Sequence, residues 1–171
     1  MKKTLSVLLI LAICLSLSAI AGCTDNGDEL PVLTQLIVGF DDSLKPMGYH
    51  DPDTGELMGF DIDFANAVGG ELEIKIIFQP INWDGSDLES MLAELNCKNV
   101  DCIWSGLEKT PQLEDAMILS KSYASVGEID YVVGFRKEDA ALCATVDKAI
   151  KALQKSGVAG ELSAKWFGGD N

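Results

Sequence analysis

The spacing of apolar and polar residues changes period several times along the chain, and each change marks an element. Leu36-Ile37-Val38-Gly39-Phe40 is a continuous apolar run of strand length, closed by polar residues from Asp41 onward. His50–Gly55 (H-D-P-D-T-G) has the composition of a turn, and Leu57–Phe60 returns from it as a short segment. Asp61 is placed to cap a helix running through Val68 and ended by Gly69-Gly70. Ile74–Phe78, rich in β-branched residues, predicts a strand. Ser86 and Glu89 form a capping box, after which Leu88, Met91, Leu92 and Leu95 share one helical face. Val100–Trp104 predicts the next buried strand, and Thr110-Pro111 a helix start with a hydroxyl cap and a first-turn proline. Ile129–Phe135 predicts a further strand. A long helix then runs from about Asp139 to Lys155, with Leu142, Val146, Ala149, Ile150 and Leu153 on one face and Ser156-Gly157 as its stop. A short helix follows over Ala159–Trp166. Strands that alternate with helices specify an α/β domain with a largely parallel sheet flanked by helices.

The N-terminus follows another pattern. Lys2 and Lys3 precede an apolar run from Leu5 through Leu17, and Ile20-Ala21-Gly22-Cys23 follows. A basic start, a short greasy core and a small-residue exit define a secretory signal peptide over residues 1–22. A cysteine directly after the small residues looks like a bacterial lipobox, which makes Cys23 the expected lipidation site and places the chain on the outer face of a cell membrane. An ordinary signal with an incidental cysteine, or an uncleaved signal anchoring the chain, are the alternatives. The run is short for a spanning helix, which needs roughly 20 residues. Residues 23–34 then read as a polar tether, and 35–171 as the folded domain.

Removing residues 1–22 from 171 leaves 149, the size of one ordinary domain, and takes away two lysines and no acid, so the formal charge falls from −14 to −16. Such an acidic chain is repelled by nucleic acid and by anionic headgroups, so no nucleic-acid partner is expected. With Cys14 in the signal and Cys23 the lipidation site, Cys97, Cys102 and Cys143 remain, an odd number that does not resemble a disulfide framework; buried thiols are the expectation, with a Cys97–Cys102 bridge as the alternative. With His50 the single histidine, and with the calcium-loop spacing failing at Pro52, Gly55 and Ile62, neither a metal nor a cofactor is expected. No P-loop, G-x-S-x-G or cysteine–histidine arrangement is present, so an enzyme is not expected.

One ordered set of motifs goes further. L-I-V-G-F-D-D-S-L-K-P-M-G-Y, then G-E-L-M-G-F-D-I-D-F-A, P-I-N-W-D-G, K-N-V-D-C-I-W-S-G, Thr110-Pro111, L-S-K-S-Y, and finally Y-V-V-G-F-R-K-E-D with K-A-L-Q-K-S-G and K-W-F-G, resembles bacterial extracellular solute-binding proteins of family 3, the polar amino-acid type. The resemblance implies a receptor of an ATP-driven importer, with an ABC permease as partner and two lobes that close on a solute. Between S-K-S-Y and the strand before G-F-R-K, however, stand only Ala124-Ser125-Val126-Gly127-Glu128, where the family builds its second lobe. The resemblance therefore implies a single lobe of a periplasmic-binding-protein-like (type II) fold, assembled from 35–123 and 128–171.

The resemblance also implies a site. Asp41 begins the loop after the first strand, Trp83 supplies one clamp aromatic, and Ser105 and Gly106 form the backbone-contacting strand end. The other clamp aromatic falls on Leu44, the hydroxyl on Glu108, and the carboxylate-binding arginine on Leu113. Losing a bidentate arginine removes charge-assisted bonds of about 1.5–3 kcal/mol each, so weak binding of an amino acid or related solute is expected. Trp83 serves equally well as a core cap, Trp104 reads as core, and Asp61 and Asp63 read as first-turn acids rather than a catalytic pair. The readings that follow are a truncated solute-binding component, a surface interaction module that has kept the lobe, or, more remotely, an enzyme of the same fold such as a dehydratase.

Overall fold

The computed structural model describes residues 33–81 and 87–168. Strand β1 (Gln35–Phe40) is flanked on both sides by parallel partners: β5 (Lys75–Pro80), in register from Gln35↔Lys75 to Phe40↔Pro80, and β6 (Cys102–Glu108), with Val38 opposite Cys102. A strand covered on both faces needs apolar residues at every position, which is why the sequence there shows no alternation. Leu36 and Val38 enter one hydrophobic cluster while Ile37 packs against the other. The same division holds along β6, with Cys102 and Trp104 on one side and Ile103 on the other.

Helices α1 (Phe60–Leu72), α4 (Ala140–Ser156) and α5 (Val158–Phe167) cover the first face. Helices α2 (Leu88–Asn96) and α3 (Pro111–Ala116) contribute Met91, Leu95 and Leu113 to the second. The main sheet runs β5-β1-β6-β9-β7, with β7 at Ile118–Leu119, β8 at Ala124–Val126 and β9 at Ile129–Phe135; β8 also pairs with β9. It is thus an α/β fold with a mixed sheet, parallel through β5-β1-β6 and antiparallel where β9 joins β6, β7 and β8. A small antiparallel sheet of β2 (Ser43–Leu44), β3 (Gly48–His50) and β4 (Leu57–Met58) sits between β1 and α1 in the chain.

Several boundaries differ from those predicted, each for a local reason. The first helix begins at Phe60, and Asp61 does not cap it. Its first amides are taken by backbone instead, as the Phe60 and Asp61 N–H groups donate to Pro46 and Met47 carbonyls at 2.9 Å each. Gly69 and Gly70 lie inside the helix because Gly69 packs against Ile76, and left-handed Glu73 ends it. Asp87, not Ser86, caps α2, accepting from the Glu89 and Ser90 amides; Ser86 lies outside the described residues. Strands β5 and β6 run to Pro80 and Glu108, past the predicted ends, following their partners' ladders. Thr110 caps α3 as predicted, its Oγ1 accepting from the Leu113 amide at 3.3 Å. Cys102 and Cys143 are buried free thiols; Cys97 is also free but exposed, so the expected burial fails there.

Residues 120–135 form a tightly held hairpin. Val126 pairs with Ile129 across a two-residue turn whose first member, Gly127, has φ 62°, a conformation that costs any residue with a Cβ. Upstream, the Ser120 hydroxyl accepts from the Val133 amide at 2.8 Å. Helix α4 pins the same segment, Asp147 accepting from the Lys121 amide and Gln154 donating to the Ser122 carbonyl. Buried Arg136 joins β9 to α2 and α4, donating to the Leu95 and Val100 carbonyls and pairing with Asp139 at 2.5 Å.

Gly59 decides how closely the β2–β3 loop can meet α1. Its φ is 145°, and a Cβ there would lie 2.1 Å from the Met47 carbonyl oxygen. We expect Gly59→Ala to lower unfolding free energy by about 3 kcal/mol. Urea denaturation measures this, and a midpoint equal to the wild type would refute the contact.

Candidate functional site

Parallel neighbours β1 and β6 end on the same side of the sheet, and the crevice beyond such carboxyl ends is where open α/β sheets gather ligands. Asp41 directly follows β1; Ser105, Gly106 and Glu108 lie in the last half of β6. The β6–β9 ladder slips between Ile103 and Leu107: Ile103 faces Gly134, but Leu107 faces Val132. This bulge releases Ser105 and Gly106 from the regular ladder and turns their groups to other partners. Ser105 Oγ accepts from the Asp41 amide at 2.9 Å, tying the two strand ends together. The Asp41 carboxylate in turn accepts from the Ser43 amide (2.8 Å) and hydroxyl (2.6 Å).

The surroundings of this cluster are aliphatic and acidic. A Cβ on Gly106 would meet Leu44 Cδ2 at 3.0 Å and Met47 Cγ at 3.2 Å, so the side chain at the expected aromatic position lies over the bulge as a leucine. Glu108 is exposed at the strand end, and the neighbouring Lys109 pairs with Glu114 at 3.2 Å. Leu113, at the expected arginine position, packs against the second hydrophobic cluster. The structure thus brings Asp41, Ser105 and Gly106 together and leaves Glu108 at the rim. Trp83 and Cys23 lie outside the described residues. A shallow depression between α1 and α4, lined by Glu71, Thr145, Lys148 and Ala152 among others, shares no residue with this cluster. Among the described residues no three His, Cys, Asp or Glu side chains are grouped to hold a metal ion, and no helix is long and apolar enough to cross a membrane.

Pattern reading missed the residue that organises the strand end. Asp61 is only 2% exposed, in the first turn of α1. One carboxylate oxygen accepts from the Gly106 amide at 2.6 Å and the other from the Tyr123 hydroxyl at 2.5 Å. Phe64, Trp104 and Tyr123 rings pack beside it with centroids 5.2–6.0 Å apart. The Trp104 indole nitrogen is fully buried and lies beside the Tyr123 phenol without hydrogen-bond geometry. Burial in this apolar nest pushes the Asp61 carboxyl up from 3.8 to about 7, against the opposing pull of its two hydrogen bonds. Tyr123 is likewise pushed well above its ordinary range, first by burial and then by the neighbouring carboxylate. A first-turn acid looks alike in sequence whether it faces water or the core. Its partners stand 45 and 62 residues away, so no local signal distinguishes the two.

The β5-β1-β6 sheet, the terminal helices docked on α1 and the strand-end crevice define a lobe of the periplasmic-binding-protein-like class. Residues 36–169 match the model of "Bacterial extracellular solute-binding proteins, family 3", and the chain belongs to that family. It is 31% identical over 136 residues to the L-cystine-binding protein TcyA of Bacillus subtilis (strain 168), covering 73% of this chain and 48% of that protein. The chain spans about half the length of the curated relatives it matches, at 48%, 41% and 45%. Among solved structures it resembles the arginine-bound form of domain 1 from TmArgBP (Phe57Trp mutant), with TM-score 0.62, 27% identity, 71% of this chain and 92% of that one covered. An ancestral arginine-binding protein bound to arginine shares the fold, with TM-score 0.71 at 16% identity over 80% of this chain and 99% of that one.

The raised Asp61 carboxyl fixes the sign of a pH dependence. The folded state holds this proton more tightly than the unfolded chain, so the group's contribution is complete below about pH 4 and is lost as pH rises through about 7. The loss is on the order of 4 kcal/mol. Urea unfolding across this range should show Asp61→Asn gaining on the wild type as pH rises; parallel curves would exclude the buried titration.

Proposed function

We propose that the chain is the extracytoplasmic solute-binding component of an amino-acid-type ABC importer, reduced to the first lobe and held on the outer membrane face by lipid on Cys23. The observation that carries this reading is the tied strand end. Asp41, Ser105 and Gly106 converge at the carboxyl ends of β1 and β6, on a lobe belonging to a solute-binding family. Relatives are named for binding cystine and arginine, and the arginine-bound domain 1 from TmArgBP is a precedent for a lobe that holds its ligand alone. The internal position of the shortening supports the reduction. The hairpin of β8 and β9 joins the two parts of the lobe directly, where the resemblance places a crossing into a second lobe.

The expected affinity is low. A two-lobed receptor closes over its solute, excludes water and completes the contacts from both sides. Here leucines stand at the expected ring and arginine positions, and Glu108 adds negative charge at the rim. An α-carboxylate meets no fixed cation among the residues assigned to the site. These same replacements favour the second reading, a surface interaction module that has kept the lobe and given up transport.

Calorimetry with the full-length chain against a panel of amino acids and polyamines separates the two. On the importer reading a solute binds measurably, but no amino acid more tightly than about 100 µM, roughly −5.5 kcal/mol. Absence of any binding up to millimolar solute favours the interaction module, and micromolar affinity for an amino acid refutes the assignment of a disabled carboxylate site. Membrane attachment has its own test: labelled fatty acid fed to a bacterial host should enter the wild-type chain and not Cys23→Ala. Equal labelling of both would remove Cys23 as the anchor.

A further inference from the structure

Asp61 carries more than a packing role. Three parts of the fold meet on its carboxylate: α1 bears it, the β6 bulge donates the Gly106 amide, and the entry to the hairpin donates the Tyr123 hydroxyl. We infer that Asp61 is the positioning residue of the solute-facing strand end and works as a proton-operated latch. Ionised, it holds the Ser105–Gly106 bulge and the Tyr123 segment together with both donors satisfied; protonated, it keeps the Gly106 bond but meets Tyr123 only through a reversed bond that orphans the phenol hydrogen, which loosens that tie. The inference rests on the proposed reading only in calling that strand end solute-facing.

The ionised form of Asp61 has two acceptor oxygens for two donors, and both bonds form. A third proton, placed on either oxygen, faces a donor already there. The Gly106 amide is fixed in the backbone and cannot reverse. The Tyr123 hydroxyl can turn and accept, but its own hydrogen then loses the Asp61 oxygen that took it. Protonation on the oxygen facing Tyr123 therefore keeps the Gly106 bond, reverses the Tyr123 bond, and leaves the buried phenol hydrogen without its acceptor.

Few other charges bear on this site. On α1, Asp63 is engaged by Lys165 (2.6 Å) and the Trp166 indole (2.8 Å). From β6 come Glu108 at the rim and the neutral Trp104; from β9 comes Tyr131, itself raised by burial and then by Glu108 and Asp61. No cation is among the groups that act on Asp61, so only its two hydrogen bonds oppose the burial. That balance leaves the two forms comparably populated near neutral pH.

The test needs no solute. In the ¹⁵N-labelled full-length chain, the Gly106 amide shift should follow one sigmoid between about pH 5 and 9 with a midpoint near neutrality. Asp61→Asn should abolish that titration. Tyr123→Phe should keep it and move the midpoint upward, because the lost hydroxyl favoured the charged form. A Gly106 amide that does not titrate, or one that titrates equally in Asp61→Asn, would overturn the latch. If Asp61→Asn fails to fold, Tyr123→Phe decides: an upward shift supports the latch and an unchanged midpoint overturns it. Failure of solute binding in calorimetry would sink the receptor reading and leave this titration untouched, so the two outcomes are separable.

Discussion

The lobe is organised around a carboxylate buried away from the surface. Asp61 sits among Phe64, Trp104 and Tyr123 with both oxygens committed, one to a strand amide and one to a phenol. Burying a charge without a cation is costly, and a buried acid is tolerated only where its hydrogen bonds are complete. The site therefore depends on every neighbour holding position. Gly59 lets the β2–β3 loop approach α1, the Pro46 and Met47 carbonyls take the helix amides, and the Asp61 side chain is left to turn inward. The bulge in β6 is the other half of the arrangement, since in a regular ladder the Gly106 amide would face β9.

This network also ties the parts of the lobe before and after the hairpin to each other. Tyr123 enters the hairpin from the N-terminal part, and β9 leaves it toward the C-terminal helices. Between them, Ser120, Asp147 and Gln154 fix the backbone with bonds at 2.8–3.0 Å. A segment tethered at so many points is a poor hinge.

Leu44 and Leu113, where the resemblance implies an aromatic ring and an arginine, make aliphatic contacts with the Gly106 bulge and the second hydrophobic cluster. Partly buried Leu113 packs against the apolar cluster that holds Met91, Leu95 and Leu107.

The order and type of the longer elements were legible in the sequence because each depends on local spacing, whereas the two- and three-residue strands β2, β3, β7 and β8 carry no such pattern. The unbroken apolar run of β1, the 3.6-residue stripe of α4 from Leu142 to Leu153, and the Thr110-Pro111 start of α3 are written within a few turns of chain. The family motifs likewise placed Asp41, Ser105 and Gly106 at strand ends. Tertiary structure alone decided the rest. Nothing near Asp61 in sequence says that its helix is capped by a loop carbonyl, that a ladder slips beside it, or that Tyr123 reaches it from 62 residues away. Periodicity assigns a residue to a face; whether a polar residue on that face becomes a solvated cap or a buried acceptor depends on which distant donors the fold delivers to it.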